Sequence, residues 1–407
     1  MDPRACRHLA DSEIDQIRSL IPSLTQGVYL NCGGVSPTPL PVTEAIIEAY
    51  RWISRFGYST PDVYDEVPRR ITEIRSEIAR FVGADTDEIA LLRNTTEGLN
   101  TVIRGLQWKQ GDEVIVSDQE NPAALLPPAN LTRRLGVVVH RLRLSDDVPD
   151  LLSRLSSLIT SNTRLIILSH VTHVTGLVLP LKEICDLSRK VGVPVLWDGA
   201  QALGQIPVDV HDAGCEFYSG CSYKWLLGPF GGGVLYVRRD WLDRLDTTDV
   251  GVGSQDLLDL ESLRFSLKPT AQRFEYGARP WPIHVGMAAG MRIIQGYGVD
   301  AIRARMLDLV QYAREGLARL KGIVVLSSPN PERASGILTV VVPGLEARQV
   351  VRHMWDKHRV LVQWRHLPSW APAPRGIRIS LPFFITRHEI DRALEALQRT
   401  QEELMGR

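Results

Sequence analysis

Phe217-Tyr-Ser-Gly-Cys-Ser-Tyr-Lys224-Trp-Leu-Leu-Gly-Pro-Phe-Gly-Gly-Gly233 is the stretch whose reading decides the fold. It sets one lysine inside an apolar, aromatic and glycine-rich run, where a cation has little reason to be. Upstream, Leu196-Trp-Asp198-Gly-Ala-Gln201 is a short apolar run that ends on a carboxylate. A lysine able to form a Schiff base, placed downstream of an aspartate that ends a buried strand, is the pair a pyridoxal 5′-phosphate (PLP) site needs. The lysine holds the cofactor aldehyde, and the aspartate keeps the pyridine nitrogen protonated so that the ring accepts electrons.

Outward from this pair, short β-branched runs alternate with helical patterns between about residues 85 and 240. Strands are expected at 89–92, 113–117, 137–141, 165–169, 193–198, 216–219 and 233–237. Most are nearly continuous apolar runs, as strands covered on both faces are, so a largely parallel sheet is expected. Helices are expected at 96–105, 121–135, 150–161 and 181–191, with amphipathic helices at 44–56 and 65–81 ahead of the sheet. A second block holds helices at 285–297 and 299–320, a strand at 337–342, and a last helix at 387–403 capped by Thr386. Pro and Gly crowd into 368–376, which reads as a functional or flexible loop. The expected class is α/β, divided into an N-terminal segment 1–30 packing on the small domain, a large domain 31–285 and a small α+β C-terminal domain 286–407.

The chain has 407 residues, 44% of them hydrophobic, and balances 47 Lys and Arg against 47 Asp and Glu. That supplies a sizeable core and no net field to attract nucleic acid or a membrane surface. No apolar run reaches the ~18 residues of a membrane span. Met1-Asp-Pro-Arg-Ala-Cys-Arg-His lacks the apolar centre of a signal peptide. The cysteines (6, 32, 185, 215, 221) show neither Cys-x-x-Cys nor zinc spacing. A soluble, cytoplasmic protein is expected, with a small-molecule partner, no nucleic-acid or membrane partner, and no metal.

Asn94-Thr95-Thr96-Glu97-Gly98 lies between a strand and a helix. Its hydroxyls and the free amides of a helix N-terminus make a phosphate seat; an ordinary N-cap reads the same way. Thr95-Thr96-Glu97-Gly98-Leu-Asn100, Ser169-His170-Val-Thr-His173-Val-Thr-Gly176, Asp198-Gly-Ala-Gln201, Lys224 and Gly376-Ile-Arg378-Ile-Ser380 follow in this order. Together they resemble the class V aminotransferase group of fold-type I PLP enzymes, which includes cysteine desulfurases, cystine C–S lyases, isopenicillin N epimerases and kynureninases. The resemblance runs from Tyr29-Leu-Asn31-Cys-Gly-Gly34 to the last helix. It implies the PLP-dependent transferase fold of type I, with a seven-stranded, mostly parallel sheet in the large domain.

The resemblance implies that Lys224 carries the cofactor and moves the proton at the substrate Cα. Asp198 would pair with the pyridinium, Gln201 would contact the ring hydroxyl, and Thr95, Thr96 and Tyr223 would bind the phosphate. Arg378 matches the family arginine that forks onto the substrate α-carboxylate, a task suited to a guanidinium; a surface salt bridge is the plainer alternative. Asn31, Gly34 and Arg365 are expected on the substrate side. Arg279, in Phe274-Glu-Tyr-Gly-Ala-Arg279, follows a segment that in relatives reaches a partner's phosphate, so a homodimer is implied.

Two departures from the family pattern bear on chemistry. Desulfurases carry a nucleophilic cysteine shortly before the carboxylate-binding arginine, whereas here no cysteine follows Cys221. Cys221 reads as packing or phosphate wall, and Cys32 as structural. Relatives also stack a histidine on the ring and keep an asparagine near the ring oxygen. Here the first position is Asn121, in Gln119-Glu120-Asn121-Pro122, and the second is His173. The exchange either shifts the cofactor's protonation or is neutral drift, with His173 a hydrogen-bonded residue near the core.

Tyr29-Leu-Asn31-Cys-Gly-Gly34, Gly199-Ala-Gln201 and Arg273-Phe-Glu275 resemble the cystine lyase branch. This implies α,β-elimination from an S-substituted L-cysteine to a thiol, pyruvate and ammonia. PLP enzymes that process S-conjugated cysteine in lincosamide-type antibiotic biosynthesis share the look. Some of those decarboxylate and oxidatively deaminate with oxygen, and that alternative stays open beside transamination and epimerisation. Trp364-Arg365-His366-Leu-Pro-Ser-Trp370 is either a wall for a bulky S-substituent or an ordered surface loop. A catalytically idle scaffold would have lost Lys224 or Asp198; this chain keeps both.

Overall fold

The structure is a computed structural model that describes residues 7–406. One sheet is built from β1 (Ile89–Leu92), β2 (Glu113–Ser117), β3 (Val138–Leu142), β4 (Thr163–Ser169), β5 (Val195–Asp198), β6 (Phe217–Cys221) and β7 (Gly233–Val237). The order is β1-β7-β6-β5-β4-β2-β3. Neighbours from β6 to β3 are parallel, and only β7 opposes its two partners, β1 and β6. The reversal has a local cause: the connection from β6 to β7 is too short for a helical crossover, so the chain must return antiparallel. That return carries Lys224. Alternate residues feed two cores, Leu91, Ile115, Ile166 and Trp197 on one face, and Leu92, Val116, Ile167 and Leu196 on the other. Both faces being covered is why the strands read as continuous apolar runs.

Most boundaries fall within a few residues of expectation, and the exceptions are physical. The helices Leu40–Phe56 and Pro61–Val82 begin earlier than apolar periodicity suggests, because proline occupies the first turn of each, where its missing N–H costs nothing. β3 is displaced one residue along the chain. A hairpin formed by Gln255–Asp259 and Arg264–Leu267 was not expected; its strands are too exposed to show an apolar run.

The C-terminal block holds an antiparallel sheet of β8 (Val324–Val325), β9 (Ile337–Val341), β10 (Gln363–His366) and β11 (Arg375–Ser380), in the order β8-β9-β11-β10. This corrects the loop expected at 368–376, since Arg375 and Gly376 are already strand. Gly376 faces Arg365 across the pair, and a Cβ there would come to 3.0 Å from Leu367 Cδ1 and Val340 O. Its glycine serves close packing rather than flexibility. Trp364, Arg365 and His366 likewise belong to β10. The N-terminal segment crosses to this block: Val28 N donates to Arg359 O and Leu30 N to Leu361 O (both 2.9 Å), and Arg18 pairs with Glu389 at 2.6 Å. Residues 1–6 of the segment expected there lie outside the described residues. No helix among the described residues is long and apolar enough to cross a membrane.

Candidate active site

A cavity of about 200 Å3 opens at the C-terminal ends of β5 and β6, where ligands sit in open α/β sheets. Of the residues expected at the site, Gly34, Thr95, Thr96, Asn121, Asp198, Gln201, Tyr223, Lys224, Arg365 and Arg378 line it. Asn31, His173 and Arg279 do not. Close approach needs glycine at two places. A Cβ on Gly199 would meet the Tyr218 ring at 2.1 Å, and one on Gly98 would meet Ser219 Oγ at 2.2 Å. The first lets the chain turn directly after Asp198; the second lets the Thr95–Gly105 helix bring its N-terminus against the sheet.

Asp198 is buried, and its Oδ1 accepts from Ala200 N at 2.9 Å. Burial pushes its carboxyl up, against the pull of the Lys224 ammonium. A buried carboxylate of this kind needs a cationic partner. Lys224 sits in the tight return after β6, fixed by Leu227 N to Lys224 O (3.1 Å) and Gly228 N to Ser222 O (2.8 Å). Leu227 is held at φ 57°, a left-handed conformation that costs a non-glycine residue about 1 kcal/mol, stored next to the lysine. At the far side of the cavity, Asn94 caps its helix by accepting from Glu97 N at 2.9 Å. The Thr95 and Thr96 amides then have no intrahelical acceptor. Thr95 Oγ1 lies beside the Cys221 thiol, yet is buried without a sound hydrogen bond. An orphaned hydroxyl at the positive end of a helix is what a phosphate would satisfy. The aspartate, the lysine and this seat together fit PLP.

Arg378 is 0% exposed and, among the described residues, forms no ion pair with a carboxylate. Its Nη1 donates to His173 O at 3.2 Å, Nη2 lies 3.5 Å from Asn31 Oδ1, and Nε has no partner. Burial and the neighbouring Arg365 guanidinium hold its pKa well below the usual arginine range. Asn31 therefore steadies Arg378 from behind the cavity wall. Arg365 also leaves Nε unpartnered, and burial brings its pKa to about 10. Two guanidiniums without a counter-ion border one cavity, so it is built for an anion.

The exchanged pair has separate roles. Asn121 caps the helix Pro122–Leu135, its Oδ1 accepting from Ala123 N at 2.9 Å. His173 Nδ1 lies 3.1 Å from Gln119 O, a carbonyl that can only accept, so Nδ1 carries the proton and Nε2 is left as the basic nitrogen. Burial, with Arg378 next, lowers its pKa to about 3, so the ring is neutral. It lines a wider cleft of about 940 Å3 that shares Asn121 and Arg365 with the cavity. Gln201 is engaged on both sides, Nε2 donating to Gly33 O (2.7 Å) and Oε1 accepting from Trp225 Nε1 (2.8 Å). Tyr223 stacks on Phe230 at 4.7 Å. Arg279 lies elsewhere, bonded to Leu91 O and near Glu275 and Glu97.

Sequence reading missed Trp225, which clamps Gln201, and Glu120, a buried carboxylate accepting from Ser117 Oγ (2.5 Å), Ser169 Oγ (2.6 Å) and Ser169 N (2.9 Å). Burial pushes Glu120 up to about 7. Its adjacency to Asn121 was visible, but the two serines converge on it only in three dimensions.

Residues 28–393 match the aminotransferase class-V family. The chain is 32% identical to the isopenicillin N epimerase of Streptomyces clavuligerus, over 91% of this chain and 94% of that one. It is 27% identical to a probable cysteine desulfurase of Methanothermobacter thermautotrophicus, covering 96% and 98%. Among solved structures, the cystine C–S lyase C-DES in complex with its product cysteine persulfide superposes with a TM-score of 0.85 at 26% identity, covering 93% and 99%. A mutant of C-DES that superposes equally well carries glycine covalently linked to the PLP cofactor.

Proposed function

We propose, for a chain that belongs to the class V aminotransferase family and so uses PLP, that it is a C–S β-lyase of S-substituted L-cysteine. The balanced reaction takes the amino acid and one water to a free thiol, pyruvate and ammonium. When bound, the cofactor supplies the electron sink that makes the substrate α-proton acidic.

The residues here would divide the remaining work. Arg378, buried without a counter-ion, would hold the substrate carboxylate, and its fixed fork would orient the substrate Cα. Lys224 takes the α-proton. Asp198 keeps the ring nitrogen protonated, and the Thr95–Thr96 helix terminus with Tyr223 holds the phosphate. Gln201, clamped by Trp225 and Gly33, lines the ring side.

The single observation that carries elimination over persulfide relay is the state of the thiols. No cysteine follows Cys221. Cys32 and Cys221, the two near the cavity, are buried with their thiols held up by desolvation, and a thiol that stays protonated is no nucleophile. The epimerase relative supports a second reading, epimerisation at the substrate Cα. Incubating S-benzyl-L-cysteine with and without oxygen tests both. The lyase reading expects pyruvate and thiol in equal amounts without oxygen; a recovered D/L mixture, or carbon dioxide released only with oxygen, defeats it.

A homodimer belongs to the same proposal. The hairpin 255–267 exposes Leu257, Leu258, Leu260, Leu263 and Phe265, and Gly277 N donates to Val252 O (2.7 Å), tying the hairpin base to the Arg279 segment. Such an apolar patch is what a second copy would cover. Light scattering should find a dimer, and a fully active monomer would remove this part.

A further inference from the structure

We propose that the wide cleft beside the cofactor cavity is a second substrate subsite, selecting S-substituents with an apolar or aromatic body that ends in an anionic group. The inference rests on the reading of the site as one for S-substituted cysteine and adds the class of substituent. The cleft measures about 940 Å3 against about 200 Å3 for the cavity, and Asn121 and Arg365 line both, so the two are continuous. A methyl substituent would leave most of that volume to water; the size suits a much larger group.

The walls divide by chemistry. Leu125, Val174, Leu367 and the rings of Trp364 and Trp370 supply the apolar side. Arg141, Arg143 and Arg365 supply the other. Leu142 and Leu144 are buried while Arg141 and Arg143 are exposed, so the two arginines share the outer side of β3, the edge strand, and of the residues directly after it. Among the described residues neither forms an ion pair with a carboxylate. Asp150, which feels the Arg143 charge, is instead bound to Arg154 at 2.8 Å.

The cleft's three arginines outnumber its two acidic groups, Asp118 and Glu120, and both of these are hydrogen-bonded to neutral donors rather than to an arginine. Asp118 accepts from Leu144 N (3.2 Å) and from Trp370 Nε1 (2.8 Å), and Glu120 accepts from Ser117 and Ser169. The Asp118–Trp370 bond also ties the turn after β10 to the end of β2 in the large sheet. Guanidiniums without counter-ions, in a concave wall backed by apolar groups, focus a positive field.

The test uses ligands that cannot react: benzylthiopropanoate, which lacks the amino group, and its para-carboxy and para-aminomethyl forms. Calorimetric titration of the holoenzyme should find the para-carboxy form bound roughly tenfold tighter than the parent, as for a partly exposed charge-assisted contact. The preference should fade toward ~1 M salt, where screening is nearly complete. Arg141→Gln with Arg143→Gln should erase it while leaving affinity for the parent and the melting temperature unchanged. Equal binding of the parent and para-carboxy forms, or tighter binding of the para-aminomethyl form, would overturn the proposal. Because nothing turns over, the result does not depend on which bond the enzyme breaks; pyruvate release from S-benzyl-L-cysteine tests that separately.

Discussion

The cofactor cavity and the cleft beside it share two residues but are built on opposite principles. In the cavity, polar groups are buried and left unsatisfied by the protein itself: Thr95 Oγ1, the Arg378 Nε and the uncompensated Arg378 charge. In the cleft, apart from the shared Arg365, polar groups are bonded to one another or open to water, as Asp118 is to Trp370 and Leu144. Unsatisfied burial costs stability and is retained where a ligand repairs it. The cavity thus fixes the chemistry, while the cleft tunes what is admitted. Substitutions in the first should have large effects on every substrate; those in the second, small and selective ones.

The largest effect is expected at Lys224. Lys224→Ala should lower turnover roughly 10^4-fold or more for all substrates, since it removes both the covalent anchor and the base. PLP should still bind, seen by absorbance after dialysis, through Asp198 and the helix terminus. Comparable turnover in the variant would break the assignment. Arg378 comes next, and here the two sides of the comparison separate. Arg378→Met should cut kcat/KM about 30- to 1000-fold, some 2–4 kcal/mol, yet raise the melting temperature, because a buried charge without a counter-ion is replaced by an apolar side chain. A variant less stable than the parent would show that Arg378 is compensated internally and not held ready for substrate.

The cavity was legible in the sequence because each of its members is set by local structure. Asp198 ends an apolar run, Lys224 lies in the short antiparallel return between β6 and β7 of the seven-stranded sheet, and Thr95 follows a strand and opens a helix. The cleft was not. Arg141 sits on an edge strand and Arg143 just past its end, in an alternation that looks like any half-solvated strand, and Trp364 to His366 read as loop because the Pro-rich turn 367–374 hides their pairing with 375–378. Glu120 was passed over for the same reason: its partners Ser117 and Ser169 lie on β2 and β4, which neighbour each other only in the folded sheet.

Glu120 offers a sharper measurement at the boundary of the two regions. Its folded pKa of about 7 exceeds the ordinary 4.5, raised first by desolvation. A raised carboxyl favours the protonated folded state, so its stabilising contribution is complete below the unfolded pKa and is lost as pH rises through about 7. The span corresponds to about 3 kcal/mol at most. Melting temperature should fall between about pH 5 and pH 8, and Glu120→Gln should flatten that slope. Parallel slopes for the two proteins would show that Glu120 stays ionised.

The smallest effect expected lies at Asn121, which belongs to both regions. Its side chain caps the Pro122–Leu135 helix through Ala123 N, and an imidazole is a poor substitute, so Asn121→His should lose roughly 0.5–1 kcal/mol of stability. Against that, an imidazole at this position would offer the cavity an aromatic surface. Stacking of this kind is worth on the order of 0.5 kcal/mol, so elimination from S-benzyl-L-cysteine should be unchanged or improved by up to about threefold. If the protein is instead an oxygen-dependent decarboxylase, the amide at this position and the neutral imidazole at His173 are where that chemistry would be set. Asn121→His combined with His173→Asn should then shift products from carbon dioxide and aldehyde toward pyruvate and thiol. Under the lyase reading the double variant keeps the same products and changes only rate. Product identity, rather than rate, is therefore what decides whether the exchanged pair belongs to the chemistry or only to the wall.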